Sequence, residues 1–251
     1  MTNVARLQKP AMEHERERIE LAACFRWTAR LGMHEGIANH FSLAVSDDGT
    51  KFLVNPPGRH FSRIRASDLM LLDAKDGATM ERPNPPDPTA WYIHGAIHRN
   101  VPHARCVMHI HPKYATVLAC LKDSSMPPID QNTMRFFGRM AVDEGFDGMG
   151  LGDEGERLSR SIGNKSIVVL GNHGVLAVGP TVAQTFDELY YFERACQTLI
   201  TAYATGKELR VVSDAVAEKT AQQWLDYPCG TELHLREIMA ILDEEEPAYR
   251  T

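Results

Sequence analysis

The sequence is poor in the features that mark several protein classes. Its 251 residues carry no excess of basic charge: 27 Lys and Arg stand against 33 Asp and Glu, a formal net charge of -6. Nucleic-acid binding usually needs a basic stripe, so no nucleic-acid partner is expected. No apolar run reaches the ~18 residues of a membrane span, so no membrane partner is expected either. Met1 to Lys9 lack the apolar stretch of a secretion signal, and a cytoplasmic location is the expectation. Cysteine is scarce and scattered, at Cys24, Cys106, Cys120, Cys196 and Cys229, with no C-x-x-C pair. Four of the five fall in apolar segments, so free buried thiols are expected rather than disulfides or a zinc–thiolate site. Internal repeats and low-complexity linkers are missing as well.

What is present is a globular composition, 43% hydrophobic and 24% charged, which excludes wholesale disorder. The length allows a core large enough to need no metal or disulfide staple. One domain is expected over 1–251, with a core over about 15–206 and a helical extension over 207–251. Residues 1–10 are polar and expected to fray.

The apolar spacing predicts a helix over Ala11 to Leu31, stopped at Gly32. His40 to Ser46 and Lys51 to Asn55 read as strands joined through Asp47-Asp48-Gly49-Thr50, a hairpin turn. Met70 to Leu72 is a further short strand, and the prolines of Glu81 to Pro88 predict an extended loop. Asp87-Pro88 then opens a helix carrying Trp91, His94, Ile97 and His98. A strand over Ala104 to His111 ends at Pro112, before a short helix with Val117, Leu118 and Leu121 turned inward. A helix over Asp153 to Ile162 precedes strands at Ser166 to Leu170 and Val175 to Val178. The capping box Thr181-Val182-Ala183-Gln184 opens a long helix through Tyr203, closed at Gly206. Two helices follow, broken at Pro228-Cys229-Gly230. In the second, Leu235, Ile238, Met239 and Leu242 form a stripe that must be buried on the domain or on a neighbouring subunit. Helices mixed with strands, some in hairpins, predict a layered α/β domain with a mixed sheet.

The sharpest chemical feature is His109-Ile110-His111-Pro112 at a strand end. Alternation places His109 and His111 on one face, about 6.6 Å apart along the strand, so both imidazoles can reach one ion. Neutral imidazole suits zinc, iron or manganese, and a catalytic site takes about three protein ligands. Spacing alone fits a partly exposed histidine pair on a strand rim equally well. His173, in a tight turn flanked by Gly171 and Gly174, is the candidate third ligand; an ordinary turn histidine is the alternative. His94 and His98 also have a metal-compatible spacing, but H-G-A-I-H lacks a general-base Glu, and supporting or structural roles are expected. Two loops can hold substrate: Ile37 to Ser42, and Asn55 to His60, where Arg59 can grip a carboxylate or phosphate or remain a solvated loop cation.

The ordered set G-I-A-N-H-F-S (36–42), N-P-P-G (55–58), W-Y-I-H-G-A-I-H-R-N-V-P-H-A-R-C-V-M-H-I-H-P (91–112) and L-G-N-H-G-V-L-A-V-G (170–179) resembles the class II aldolase/adducin family over about Glu17 to Gly206. The resemblance implies a three-layer α/β/α sandwich around a mixed, largely antiparallel sheet. It also implies a homotetramer with the site near a subunit interface, acting on a small-molecule substrate. A divalent metal, zinc first and manganese, iron or cobalt after it, would be held by His109, His111 and His173. The family's enzymes include fuculose-phosphate aldolase and ribulose-phosphate epimerase. Their acid/base Glu is replaced here by Ala90, and their phosphate-binding Ser-Gly turn by Pro57-Gly58. Pro88-Thr89 stand where they have serines, and His40 where they have an Asn. Sugar-phosphate aldolase activity is therefore not expected. If position 90 faces water, Ala90→Glu should be tolerated. Asn39-His40, the missing Glu and the N-H-G segment are more similar to the adducin head domain and its bacterial relatives. The resemblance leaves three readings: a metal-dependent lyase acting on a hydroxy- or keto-acid, an adducin-like scaffold, or oxygen chemistry at iron. For the lyase, proton delivery falls to His40 or Tyr114, and substrate binding to Asn39, Gly58, Arg59 and Thr89.

Overall fold

The computed structural model describes residues 12–145, 147–148, 152–227 and 230–251. Residues 1–10, expected to fray, lie outside the described residues, as do Pro228 and Cys229 of the expected helix break. Seven strands form one sheet: β1 (His40–Ala44), β2 (Lys51–Val54), β3 (Met70–Asp73), β4 (Cys106–Ile110), β5 (Met140–Asp143), β6 (Ile167–Leu170) and β7 (Gly174–Gly179). Their order is β3-β2-β1-β4-β7-β6-β5. Every neighbouring pair is antiparallel except β5 and β6, so the sheet is mixed and largely antiparallel, as expected.

The helices are α1 (Glu15–Arg30), α2 (Gly95–Asn100), α3 (Lys113–Ala119), α4 (Gln131–Arg135), α5 (Glu154–Ile162), α6 (Val182–Ala204), α7 (Asp214–Asp226) and α8 (Gly230–Glu245). A π-helical turn at Ala90–His94 leads directly into α2. Strand alternation divides the core into two layers. Phe41, Leu53, Met108, Ile110 and Val175 face α1 and α6, whose Leu21, Phe25, Phe186 and Leu189 are fully or almost fully buried. Val107, Val168 and Leu176 face the other way, onto Ile97 of α2 and Leu158 and Ile162 of α5. The result is the expected α/β/α sandwich.

Local chemistry explains the turns that matter. In the β1–β2 hairpin, Asp48 Oδ1 accepts from the Thr50 N–H at 3.1 Å and from the Ser46 hydroxyl at 2.8 Å. Gly49 adopts φ +71°, and a Cβ there would lie 2.2 Å from the His98 carbonyl oxygen. The hairpin tip is thus pressed on α2 and requires glycine. Thr181 caps α6 by accepting the Gln184 N–H at 3.1 Å.

Several sequence expectations are corrected. The first helix begins at Glu15, after His14 in a left-handed conformation. β5 and α4 were not anticipated; β5 has only four residues and exposes Val142, so it lacks an apolar signature. In α3, Val117 and Leu121 beyond its end are exposed, and Ala115 and Leu118 carry the packing. Cys120 is exposed, whereas Cys24, Cys106 and Cys196 are buried free thiols as expected. The tail stripe is occupied within the chain: Leu235, Ile238 and Leu242 are at most 4% exposed and belong to the core formed with α1 and α6.

Candidate metal centre

The three histidines meet at one end of the central strands. β4 lies between β1 and β7, with His109 opposite His40 on one side and Leu176 on the other. His111 follows β4, and His173 projects from the β6–β7 turn. The ring centroids of His109, His111 and His173 are 4.7–4.8 Å apart in every pair. One ligand atom from each lies within 4.8 Å of the others. Gly174 makes this approach possible, because a Cβ there would lie 2.6 Å from His111 Cδ2 and 2.7 Å from the Ile110 oxygen.

Hydrogen bonds orient the rings. His109 Nδ1 donates to the Val175 carbonyl at 3.0 Å. His111 Nδ1 faces the Glu35 carboxylate. Both rings therefore turn Nε2 inward, and these two atoms are 3.0 Å apart. Nδ1 anchored outward on an acceptor with Nε2 directed inward is the arrangement of metal-bound histidine. Burial first, then the neighbouring imidazoles His173 and His111, push His109 well below the usual histidine range. Burial and His111 lower His173 to about 4. Neutral imidazoles are the ligating form, so the donor set fits a borderline divalent ion such as zinc.

A cavity of about 390 Å³ opens over the three rings. Its wall contains Asn39, His40, Asp87, Thr89, His94 and Glu154, against an apolar side of Ile93, Leu158, Leu170 and Leu176. Asn39 sits at φ +79°, and Asn55 Nδ2 donates to its carbonyl at 3.2 Å. Asn39 Oδ1 accepts the Glu35 N–H at 2.9 Å, while its enclosed Nδ2 has no partner among the described residues. His40 Nε2 lies 3.8 Å from Asp87 Oδ1, and burial lowers the His40 pKa against the pull of that carboxylate. Thr89 donates its hydroxyl to Asp87 at 2.6 Å. Burial raises the Glu154 carboxyl despite Arg157 at 3.1 Å.

Other candidates lie elsewhere. Gly58 and Arg59 line a separate hollow with Ile37, Pro56, His60 and Arg63, and Arg59 Nη1 pairs with Asp68 at 3.3 Å. Tyr114 is outside the cavity wall; its backbone N–H donates to Glu193 at 3.0 Å. Ala90 is fully buried in an apolar cluster with Phe52, Leu72 and Trp91, so it does not face water. Sequence analysis does not single out Glu35 or Glu154, names Ser42 only as the end of a substrate loop, and reads Asp87 as a helix cap only. Asp87 is that too, accepting the Thr89 N–H at 2.9 Å.

The profile of the Class II Aldolase and Adducin N-terminal domain matches residues 19–200. The chain belongs to this family. An adducin-related protein of Schizosaccharomyces pombe is 30% identical over 256 residues, spanning 93% of this chain and 76% of that one. The decarboxylase NovR of Streptomyces niveus is 28% identical over 204 residues, spanning 80% of this chain and 75% of its own. The crystal structure of an aldolase II superfamily protein from Pseudomonas syringae superposes with a TM-score of 0.86 at 30% identity, covering 97% of this chain and 98% of that one. Within the family, the three-histidine cluster is thus accompanied here by a wall in which Ala90 is packed away and His40, Asp87, His94 and Glu154 supply the titratable groups.

Proposed function

We propose that this protein is a metal-dependent lyase acting on a small hydroxy- or keto-acid, by decarboxylation or aldol-type C–C cleavage. The observation that carries it is the inward set of the His109 and His111 Nε2 atoms, with His173, at the floor of a cavity of this size. A divalent ion held there, zinc in the first instance, supplies Lewis acidity to a substrate carbonyl. Asn39 lines the cavity, and its Nδ2, without a partner among the described residues, would donate a hydrogen bond to a substrate carboxylate. The apolar side formed by Leu158, Leu170 and Leu176 excludes water and strengthens such contacts. His40 and Glu154 line the cavity and would deliver the proton that an enediolate needs after cleavage, with Glu154 taking the part that sequence analysis offered to Tyr114 as the alternative to His40. Decarboxylation requires no removal of an alcohol proton, so it fits a wall without the aldolase Glu, and a relative named as a decarboxylase supports it.

The test is metal analysis of purified protein with a screen of hydroxy- and keto-acids for CO2 release and aldehyde formation. Near-stoichiometric metal and turnover of one acid are expected. His173→Ala leaves two imidazoles and should lose the metal while keeping its circular dichroism; full occupancy in that variant refutes the ligand set. The adducin-related relative supports the scaffold reading, which wins if wild-type protein holds no metal. A homotetramer in the cytoplasm completes the proposal. Sedimentation as a monomer at micromolar concentration would remove the tetramer.

A further inference from the structure

Behind the cavity wall runs a buried chain of hydrogen bonds whose polarity is fixed by its far end. The Ala104 carbonyl can only accept, so His98 Nδ1 carries the proton in their 2.8 Å bond. Burial lowers His98 to about 4, so the ring is neutral and its Nε2 bears a lone pair. Ser42 Oγ, 2.7 Å away, must donate its one proton to that lone pair. The same oxygen can then only accept at its second contact, 2.6 Å from His94 Nδ1, which must therefore carry hydrogen. Burial also keeps His94 neutral, so its lone pair is on Nε2. That atom has no partner among the described residues, and the ring lines the metal-centre cavity. The ring stands at the end of the π-helical turn Ala90–His94, an irregularity common at functional sites.

We propose that His94 is a specificity-determining residue: the Ser42–His98–Ala104 chain locks it as an Nε2 acceptor, which selects a substrate carrying a hydroxyl group over one that presents only carbonyl or carboxylate oxygen. The inference rests on the cavity being the substrate site and narrows its substrate class to hydroxy-acids. A hydroxyl there satisfies the acceptor, whereas an oxygen with only lone pairs would face another lone pair. Sites built around such a bond discriminate strongly against analogues lacking the hydroxyl. His94 would touch the substrate; Ser42 and His98 are positioning residues acting through its tautomer.

Two measurements test this on the full chain. Nitrogen-15 NMR of histidine-labelled, metal-free protein at neutral pH should show His94 and His98 as Nδ1–H tautomers. Ser42→Ala should release His94 into a mixture of tautomers, and Ser42→Thr, which keeps the hydroxyl, should restore the single form. An Nε2–H tautomer for His94 in the wild type, or no change in Ser42→Ala, overturns the lock whether or not metal binds. The second measurement compares glycolate with acetate on zinc-loaded protein. Chelation favours glycolate in every variant, so the change in its advantage isolates His94. That advantage should shrink about ten-fold in His94→Phe and partly in Ser42→Ala, and recover in Ser42→Thr. An unchanged advantage, or no glycolate binding to zinc-loaded wild type, overturns the selection. Failure of the wild type to load zinc instead counts against the lyase reading, while the tautomer result still decides the lock.

Discussion

Replacing Glu193 by Ala removes the cap of α3 and should destabilise the protein measurably. Pro112 precedes this helix and offers no side-chain cap. The amides of its first turn, which have no partner within the helix, are bound instead by a carboxylate from α6: Glu193 accepts the Tyr114 N–H at 3.0 Å and the Ala115 N–H at 2.8 Å. Each charge-assisted bond contributes about 1.5–3 kcal/mol, and the helix dipole adds about 1 kcal/mol in a partly buried setting. Against this stands the cost of burying the charge; Glu193 is 8% exposed, and desolvation raises its pKa despite the two amides. The balance is a net loss of about 3 kcal/mol for Glu193→Ala. Glu193→Gln keeps one acceptor oxygen and should lose about half as much. For a chain of this size, ~3 kcal/mol corresponds to a fall of about 6–12 °C in Tm. Urea unfolding followed by circular dichroism, with calorimetry, measures it. An Ala variant within about 0.5 kcal/mol of wild type would show that desolvation cancels the cap, and would refute the argument.

Three further outcomes are expected. The folded pKa of His98, about 4, lies below the unfolded value near 6.5. The unfolded state therefore binds more protons between these values, and the stability present above pH 6.5 is lost as pH falls toward 4. Between pH 6.5 and 5 this amounts to about 2 kcal/mol, which urea titrations should show as a flatter pH dependence in His98→Leu. Arg135 is nearly buried, 2.6 Å from Asp187 and 2.9 Å from Glu188, and stacks on Tyr191 and Trp224. Arg135→Met leaves two buried carboxylates without it and should cost about 3–5 kcal/mol in denaturant unfolding. Ala90→Glu forces a carboxylate among Phe52, Leu72 and Trp91. It should cost several kcal/mol, on the order of 3 or more, and lower soluble yield and Tm rather than create an aldolase.

Much of the fold was legible because its signals are local. Asp48-Gly49 marks a turn by its own chemistry, the H-x-H pair ends at a proline that stops the strand, and Thr181 caps the helix that follows it. The trio His109, His111 and His173 was legible for a related reason: His109 and His111 alternate onto one face at the end of β4 before Pro112, and His173 sits in a turn next to Gly174. The rest depends on which strands become neighbours. Nothing near Glu35 in the sequence tells that it will face His111, and Ser42 reveals its role only between two histidines from another element. Arg59 looked free because Asp68, its partner, is nine residues away around a bend. Whether position 90 faces water was open in the sequence, because the side chains that enclose Ala90, Phe52 and Leu72, come from strands distant in the chain.

The order of strands in the sheet also constrains when the three-histidine cluster can come into being. His40 on β1, His109 on β4 and the β7 backbone that anchors His109 are adjacent in space yet separated by more than sixty residues at each step. Pairings of such high contact order close late, because their loop entropy is lost before the contacts form. A nascent chain extruded as far as Pro112 already holds two of the imidazoles, but the third and its neighbour Gly174 follow some sixty residues later. An ion held by all three imidazoles would therefore be captured by a finished fold rather than nucleate it. In refolding experiments, metal uptake should therefore lag behind the recovery of sheet signal and serve as a clock for the docking of β7 against β4.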